Sequence, residues 1–170
     1  GEAIADGIIT TYPFAGYEPV RSKNEQKYLT AEELQRIMTT PLHRQTLYHV
    51  RDMFLFSCYT GIPYGDMRLL TKQNLSLAED GTWWIKSARQ KTKIEFEIPL
   101  LDLPLQILKK YSGTAPGDKL LPMYCNSTLN LYLKEIARIC HIDRPLVFHA
   151  GRHTYATEIT LSHGVPLETV

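Results

Sequence analysis

Two histidines and an arginine lie within five residues of one another in this 170-residue chain, at His149, Arg152 and His153. Their spacing of i, i+3 and i+4 places the three side chains on one face of a helix. An arginine fork and imidazole groups can donate hydrogen bonds to one shared anion, and an imidazole also transfers protons near neutral pH. The spacing therefore predicts an anion site, with Arg152 as the fork and His149 as an acid, base or donor.

Two other interpretations of this cluster are open. The helix could be partly buried, with both imidazoles bonded to the backbone. Alternatively, His149 and His153 have the i, i+4 spacing of zinc ligands, and Cys140 or His141 could be a third ligand. The guanidinium of Arg152 would repel a metal cation, and the pattern lacks the glutamate of an HExxH motif. The cluster therefore favours an anion over a metal.

A second group of cations lies in the middle of the chain. Arg89, Lys91 and Lys93 alternate with polar residues, so they share one face if a strand continues through them. Together with Lys86, they form either a solvated basic turn or a row of cations that follows a nucleic-acid backbone. A lysine in such a row could also donate a proton to a leaving oxygen.

Capping signals and hydrophobic periodicity predict the elements that position these residues. Thr30 to Glu33 form a capping box at the start of the first helix. The apolar stretch 46–59 predicts a buried helix that ends at Gly61, and Pro63 then opens a short helical turn in which Asp66 caps the next helix. The remaining predicted elements are a hairpin of strands 82–86 and 95–99, and helices over 103–111, 126–140 and 150–162. These elements predict a mainly α fold with a small antiparallel sheet.

Composition limits the class of protein. The chain is 44% hydrophobic, which is enough for one core, and no apolar run approaches the roughly 20 residues of a membrane span. No signal-peptide pattern is present, and three widely spaced cysteines are typical of a reduced, cytoplasmic protein. The net charge of +1 neither indicates nor excludes a nucleic-acid partner. Any affinity for phosphate must therefore come from local clusters of cations.

Three motifs in one order resemble the tyrosine recombinase, or phage integrase, family. They are a buried helix that ends in Thr-Gly-x-x-x-x-Asp at Asp66, a hairpin with Arg-Gln-Lys-Thr and Ile-Pro-Leu around Lys91, and His-x-x-Arg-His-Thr starting at His149. The resemblance covers residues 28–170 and is greatest to integrases of Bacteroides-type mobile elements. It implies a catalytic domain over 23–170, with residues 1–22 as the end of a core-binding domain and its linker.

The resemblance implies a bacterial, cytoplasmic enzyme that integrates and excises mobile DNA. The family cleaves and rejoins DNA through a 3′-phosphotyrosyl intermediate, needs no metal or other cofactor, and works as a tetramer on double-stranded DNA. By match to its motifs, Arg152 is the second catalytic arginine, His149 the first histidine and Lys91 the hairpin lysine. The cations Arg89, Lys93, Lys86 and His153 are then expected to bind DNA.

The first arginine of the family is absent from this sequence. Its position after Thr-Gly is occupied by Pro63, which cannot donate a hydrogen bond to phosphate. Another cation is therefore expected to substitute. Arg51 on the buried helix and Arg89 on the hairpin are the main candidates, and Arg68 is a third candidate that is expected to face solvent. An ion pair with Asp52 or another carboxylate would instead give Arg51 a structural role.

The second departure concerns the nucleophile. In the family, the tyrosine nucleophile lies a few dozen residues beyond the His-x-x-Arg motif, which here is beyond Val170. Tyr155 lies inside the motif and is expected to pack in the core, so the given chain is expected to be truncated and inactive in cleavage. Two other classes remain open: a non-catalytic DNA-binding module of recombinase descent, and a helical interaction domain with a solvated basic turn.

Overall fold

Six α-helices and a three-stranded antiparallel sheet make up residues 27–160, the part of the chain that the computed structural model describes. The helices are α1 (Ala31–Thr39), α2 (Gln45–Thr60), α3 (Tyr64–Met67), α4 (Asp102–Lys110), α5 (Asn126–Ile139) and α6 (Ala150–Thr154). The strands are β1 (Leu75–Leu77), β2 (Trp83–Ala88) and β3 (Glu95–Pro99), which pair in the order β1-β2-β3. The predicted fold class is confirmed.

Helix α2 forms the centre of the core, as its apolar sequence predicts. Helices α4, α5 and α6 all contact it, and Phe54 and Phe56 are fully buried along it. Phe54 meets Phe148 edge-on with ring centroids 6.1 Å apart, which joins α2 to the loop before α6. The helix ends at Gly61, which adopts a left-handed conformation. This helix end is the platform on which the histidine and arginine motif rests.

Helix α1 begins at the predicted capping box. Thr30 accepts a hydrogen bond from the Glu33 N–H, and the Glu33 carboxylate accepts one from the Thr30 N–H. Arg144, from the loop before α6, donates to the same carboxylate at 2.9 Å and to the carbonyl of Tyr28 at 2.6 Å. Buried Thr154 of α6 accepts a hydrogen bond from the Leu29 N–H. The segment before α1 is therefore fastened to the elements that carry the motif.

The Glu33 carboxylate predicts an acid-sensitive contribution to stability. Burial raises the pKa of Glu33, but the Thr30 N–H and Arg144 outweigh it and hold the pKa below its ordinary value. The carboxylate therefore stabilises the fold above the unfolded pKa of about 4.3, and this contribution is lost as the pH falls through the folded pKa. We expect Glu33→Gln to lower the free energy of unfolding by about 1–2 kcal/mol at pH 7, measured by urea denaturation.

The matched control for this prediction is Glu32→Gln, because Glu32 is exposed on the same helical turn. It is expected to change the free energy of unfolding by less than about 0.5 kcal/mol. Wild type and Glu33→Gln should converge in acid, where Glu33 is protonated. An equal difference between the two proteins at every pH would contradict this account.

The predicted 150–162 helix is present as far as the structure describes it, α-helical through Thr154, π-helical over Tyr155–Ile159 and again α-helical at Thr160, while its predicted end lies outside the described residues. The condition for a shared basic face on the hairpin is not met, because strand β2 ends at Ala88. One local prediction was wrong. Asp66 is not a helix cap; it lies within α3 and accepts hydrogen bonds from the hairpin. The predicted domain boundary at residues 22 and 23 also lies outside the described residues and stays a prediction.

In the described range 27–160, no helix is both long enough and apolar enough to cross a membrane.

Candidate active site

An open cleft of about 1140 Å³ lies where α6, the turn between α2 and α3, and the β2–β3 hairpin meet. The sequence-predicted residues that line it are Arg89, Lys91, His149 and Arg152. Pro63, at the position of the missing arginine, also lines it, together with Gly61 and Tyr155. Residues from three separate motifs therefore meet around one cavity, and four of them carry cationic or imidazole groups.

Arg152 is positioned by the end of helix α2. Its Nη1 donates to the carbonyl of Gly61 at 3.0 Å, and the side chain is only partly exposed. Burial lowers the pKa of Arg152 and neighbouring Arg89 lowers it further, while Asp66 opposes the shift. A guanidinium stays protonated in proteins, so Arg152 is a partly buried cation next to a second cation, Arg89. Two neighbouring guanidinium groups favour the binding of an anion.

Close packing of α6 on α2 sets the position of Arg152. A Cβ added at Gly151 would lie 2.9 Å from Oγ of Ser57 and 3.1 Å from its Cβ, so a larger residue at this crossing would force Ser57 to shift. The same Oγ donates to the carbonyl of Ile62 at 2.8 Å and thereby holds the turn beneath the cleft. The glycine between His149 and Arg152 therefore brings the motif into contact with the helix end that binds Arg152.

Arg89 is held between an aromatic ring and a carboxylate. Its guanidinium lies 4.7 Å from the centroid of the Phe96 ring, and its Nη1 lies 3.3 Å from Oδ2 of Asp66. The other Asp66 oxygen accepts the backbone N–H of Gln90 at 2.9 Å. These contacts fix the hairpin base against α3 and keep Arg89 on the wall of the cleft beside Arg152.

The hairpin cations lie in a turn rather than on one strand face. The Arg89 N–H bonds the carbonyl of Ile94, and the Lys93 N–H bonds the carbonyl of Arg89, so the chain closes into a loop after β2. Lys93 has a φ of 60°, which is incompatible with a continuing strand. Lys91 is exposed at this turn and lines the cleft, whereas Lys93 is exposed but is not among the lining residues.

Lys86 lies on β2 and has a partner across the sheet. Its Nζ is 3.1 Å from a carboxylate oxygen of Glu97, and both side chains are about half exposed. The pairing register places the two residues opposite each other on neighbouring strands. Lys86 is therefore paired with Glu97, which lines the cleft, but Lys86 itself is not among the lining residues.

His149 and His153 form an edge-to-face pair with ring centroids 4.7 Å apart. His149 is exposed and lines the cleft, while His153 is partly buried on the next turn and faces a smaller cavity. Burial lowers the pKa of His153, and the charges of His149, Lys27 and Arg152 lower it further. The cluster therefore divides into two parts, with His149 on the cleft and His153 beside it.

Of the three candidates for the missing arginine, the structure brings Arg89 alone to the cleft. Arg51 donates to the carbonyls of Thr40 and Ile37 and lies 4.7 Å from the centroid of the Tyr48 ring. The ion pair considered for Arg51, with Asp52 or another carboxylate, is not formed with any residue in 27–160, and Asp52 binds Lys110 and the Tyr111 hydroxyl instead. Arg68 is exposed at the end of α3 and lies outside the cleft.

Sequence reasoning missed the role of Asp66 and the position of Tyr155. Asp66 lies 23 residues before Arg89, so the contact between them leaves no local pattern, although Asp66 was part of the quoted motif. Tyr155 packs against the hydrophobic core as predicted, but its ring also lies against Gly61 and forms part of the cleft wall. Within residues 27–160, no group of three histidine, cysteine or carboxylate residues is placed to hold a metal ion.

A family model described as the phage integrase family matches residues 27–170. The chain belongs to this family of tyrosine recombinases. The match covers every residue that lines the cleft, and the fold is that of a tyrosine recombinase catalytic domain. A comparison with curated protein sequences gave no match.

Solved structures of tyrosine recombinases share this fold at low sequence identity. The XerH site-specific recombinase bound to difH superposes with a TM-score of 0.65 at 15% identity, over 82% of this chain and 44% of that one. A lambda integrase dimer bound to a COC' core site gives 0.62 at 20% identity, over 95% and 62%. The Tn1549 transposon integrase with circular intermediate DNA gives 0.59 at 18%, over 99% and 65%. This integrase-family chain thus spans less than two thirds of each.

Proposed function

We propose that this integrase-family domain binds duplex DNA and surrounds the phosphate at which a strand is cleaved and rejoined. The observation that carries the proposal is the meeting of Arg89, Lys91, His149 and Arg152 in one cleft. The DNA-bound integrases and recombinase with the same fold support a DNA partner. The cleavage would proceed through a 3′-phosphotyrosyl intermediate, with assembly into a tetramer on DNA, in integration or excision of mobile elements.

The chemistry of phosphoryl transfer suits these side chains. Attack on a phosphodiester places extra negative charge on the phosphorus oxygens, and the planar forks of Arg152 and Arg89 can each hold two of these oxygens. Lys91 is exposed in the hairpin turn and can protonate a leaving 5′ oxygen. His149 can accept or donate a proton at the attacking oxygen. No cofactor is needed for these steps.

On this proposal, the nucleophile is not Tyr155. Its ring is packed against Gly61, and burial raises the pKa of its hydroxyl, which disfavours the phenolate. We expect no covalent protein–DNA adduct when the 170-residue chain is incubated with a nicked duplex that traps cleavage, as judged by denaturing gel electrophoresis. A trapped adduct would contradict this assignment, and Tyr155→Phe would then show whether Tyr155 formed it.

Arg89 is proposed to replace the missing first arginine, and Arg51 is not. In a form of the protein that includes its nucleophile, we expect Arg89→Ala to slow single-turnover cleavage by about 10²-fold or more. Arg51→Ala should leave the rate within about twofold of wild type, because its carbonyl contacts lie away from the cleft. Arg89→Lys retains a partner for Asp66 and separates loss of the fork from loss of folding.

The control for this comparison is Arg68→Ala, which removes an exposed arginine outside the cleft. Cleavage by Arg89→Ala at the wild-type rate would contradict the substitution. A folded Arg51→Ala protein that no longer cleaves would assign the role to Arg51 instead.

A non-catalytic DNA-binding module is the second candidate function. Pro63 favours it, because a proline lines the cleft where the family has an arginine. This module would bind duplex DNA with strong salt dependence and give no cleavage even when the nucleophile is present. Cleavage by wild type that Arg89→Ala abolishes would exclude it.

A further inference from the structure

A second, smaller cavity of about 250 Å³ lies beside the cleft, one turn further along α6. Its charged and imidazole lining comes from Lys27, Arg144, His149 and His153, and none of the residues between 27 and 160 that line it is a carboxylate. His149 lines both this cavity and the cleft. A ligand that fills the cleft is therefore next to whatever fills the second cavity, which we call the Lys27–His153 cavity.

The cavity is electropositive and has one fixed wall. Arg144 is locked by Glu33 at 2.9 Å and by the carbonyl of Tyr28, so its guanidinium has a set position and its charge is largely balanced. Lys27 is exposed, and no ion pair to a described residue neutralises it. His153 is surrounded by the positive groups Lys27 and Arg152 and by His149, all of which oppose its protonation. Such surroundings attract an anion.

We propose that the Lys27–His153 cavity binds the DNA backbone phosphate adjacent to the phosphate held in the cleft. The proposal rests on the proposed function, because the cleft must hold a DNA phosphate for a neighbour to exist. His149 lines both cavities, so the two cavities are immediate neighbours. A DNA strand that places one phosphate in the cleft therefore brings its next phosphate toward Lys27 and His153.

Binding of the second phosphate has a consequence for His153. A phosphate anion at Lys27 offsets the charges of Lys27 and Arg152, so the protonated form of His153 becomes more favourable. Linkage then requires that DNA binding raises the pKa of His153 and that binding strengthens as the pH falls toward 6. His149 and the Arg144–Glu33 pair also face this group, so the readout must be specific to the His153 ring.

The first arm of the test measures the affinity of the 170-residue chain for a 20-bp DNA duplex by fluorescence anisotropy at pH 6 and several salt concentrations. We expect Lys27→Met and His153→Gln each to weaken binding several-fold, and Lys27→Met to reduce the salt slope by about one. Because both residues face one phosphate, the double variant should lose less than the product of the single losses. Lys109→Met removes an exposed lysine outside both cavities and is the matched control.

The second arm follows the His153 ring by NMR during pH titration, with and without the duplex. We expect a higher pKa in the complex for wild type and a smaller rise for Lys27→Met. Inorganic phosphate at the same phosphate concentration should have little effect on the pKa of His153. If it raises this pKa as much as the duplex does, the cavity is a site for free phosphate and the DNA assignment is overturned.

The two proposals fail in different ways. If Arg152→Ala weakens duplex binding while the His153 pKa is unchanged in the complex, the second phosphate site is wrong and the proposed function stands. If the Lys27→Met/His153→Gln double variant loses affinity by the full product of the two single losses, the two residues do not share one phosphate and the second phosphate site is also wrong. If Arg152→Ala and Lys27→Met both leave affinity for the duplex unchanged, the proposed function fails and this inference fails with it.

Discussion

Replacing Arg152 by alanine is expected to slow DNA strand cleavage by about 10²–10³-fold, the loss typical of removing one preorganised donor to a transition-state charge. Arg152 stands on the wall of the cleft with one Nη bound to the Gly61 carbonyl, so the rest of its fork is held toward the cavity. Because Arg152 is partly buried and lies next to Arg89, the negative charge of a bound phosphate is stabilised more strongly there than in water.

The measurement is single-turnover cleavage of a nicked duplex by a form of the protein that includes its nucleophile. Arg152→Lys should recover only part of the rate, because an ammonium keeps the charge but cannot hold a carbonyl and two phosphate oxygens in one plane. Arg68→Ala is the control for loss of an exposed arginine. If Arg152→Ala cleaves at the wild-type rate and its urea unfolding curve is unchanged, Arg152 has no role in cleavage.

The largest expected effect on stability comes from Gly61→Ala. Gly61 has a φ of 66°, a conformation that costs a residue with a Cβ about 1–2 kcal/mol. An added Cβ would also lie 2.5 Å from a ring carbon of Tyr155, and overpacking of this kind costs about 1–3 kcal/mol. The free energy of unfolding is therefore expected to fall by about 2–5 kcal/mol, measured by urea denaturation.

The chain offers a matched control in Gly113→Ala. Gly113 has a φ of 79°, but a Cβ there would meet no atom within 4 Å, so this variant carries the conformational cost alone. The difference between the two variants measures the contact with Tyr155, and Tyr155→Leu in the Gly61→Ala background should recover part of it. If the two variants lose the same free energy of unfolding, the contact between an added Cβ at Gly61 and the Tyr155 ring has no measurable cost.

Gly61→Ala should also weaken DNA binding, because the Gly61 carbonyl holds Arg152. Movement of the helix end shifts that carbonyl, whereas Gly113→Ala leaves it in place. The two variants together therefore link the stability of the α2 end to the geometry of the cleft.

Elements encoded by short-range patterns could be predicted from the sequence. The capping box at Thr30, the apolar stretch that became α2 and the glycine that ends it each depend on residues within a few positions of one another. The hairpin was also predicted, because two β-rich segments flank a polar turn. Strand β1, Leu75–Leu77, was missed because three residues are too few to show an alternation.

Contacts between distant residues set the parts that could not be predicted. The end of β2 depends on the backbone bonds between Arg89, Lys93 and Ile94, and on Asp66, which lies more than 20 residues earlier and binds the hairpin base. The choice between Arg51 and Arg89 likewise depends on which arginine the folded chain turns toward Arg152. For the cleft as a whole, the motif residues were identified from sequence, whereas the positioning roles of Gly61 and Asp66 required the structure.

The most direct test of the central claim is the structure of the protein bound to a nicked duplex that carries its recombination site. We expect one phosphodiester group in the cleft, with its oxygens at about 3 Å from the guanidinium nitrogens of both Arg152 and Arg89. Lys91 should approach the 5′ oxygen of the same group. A complex in which the DNA lies on another face, with Arg89 still bound to Asp66 alone, would contradict the account.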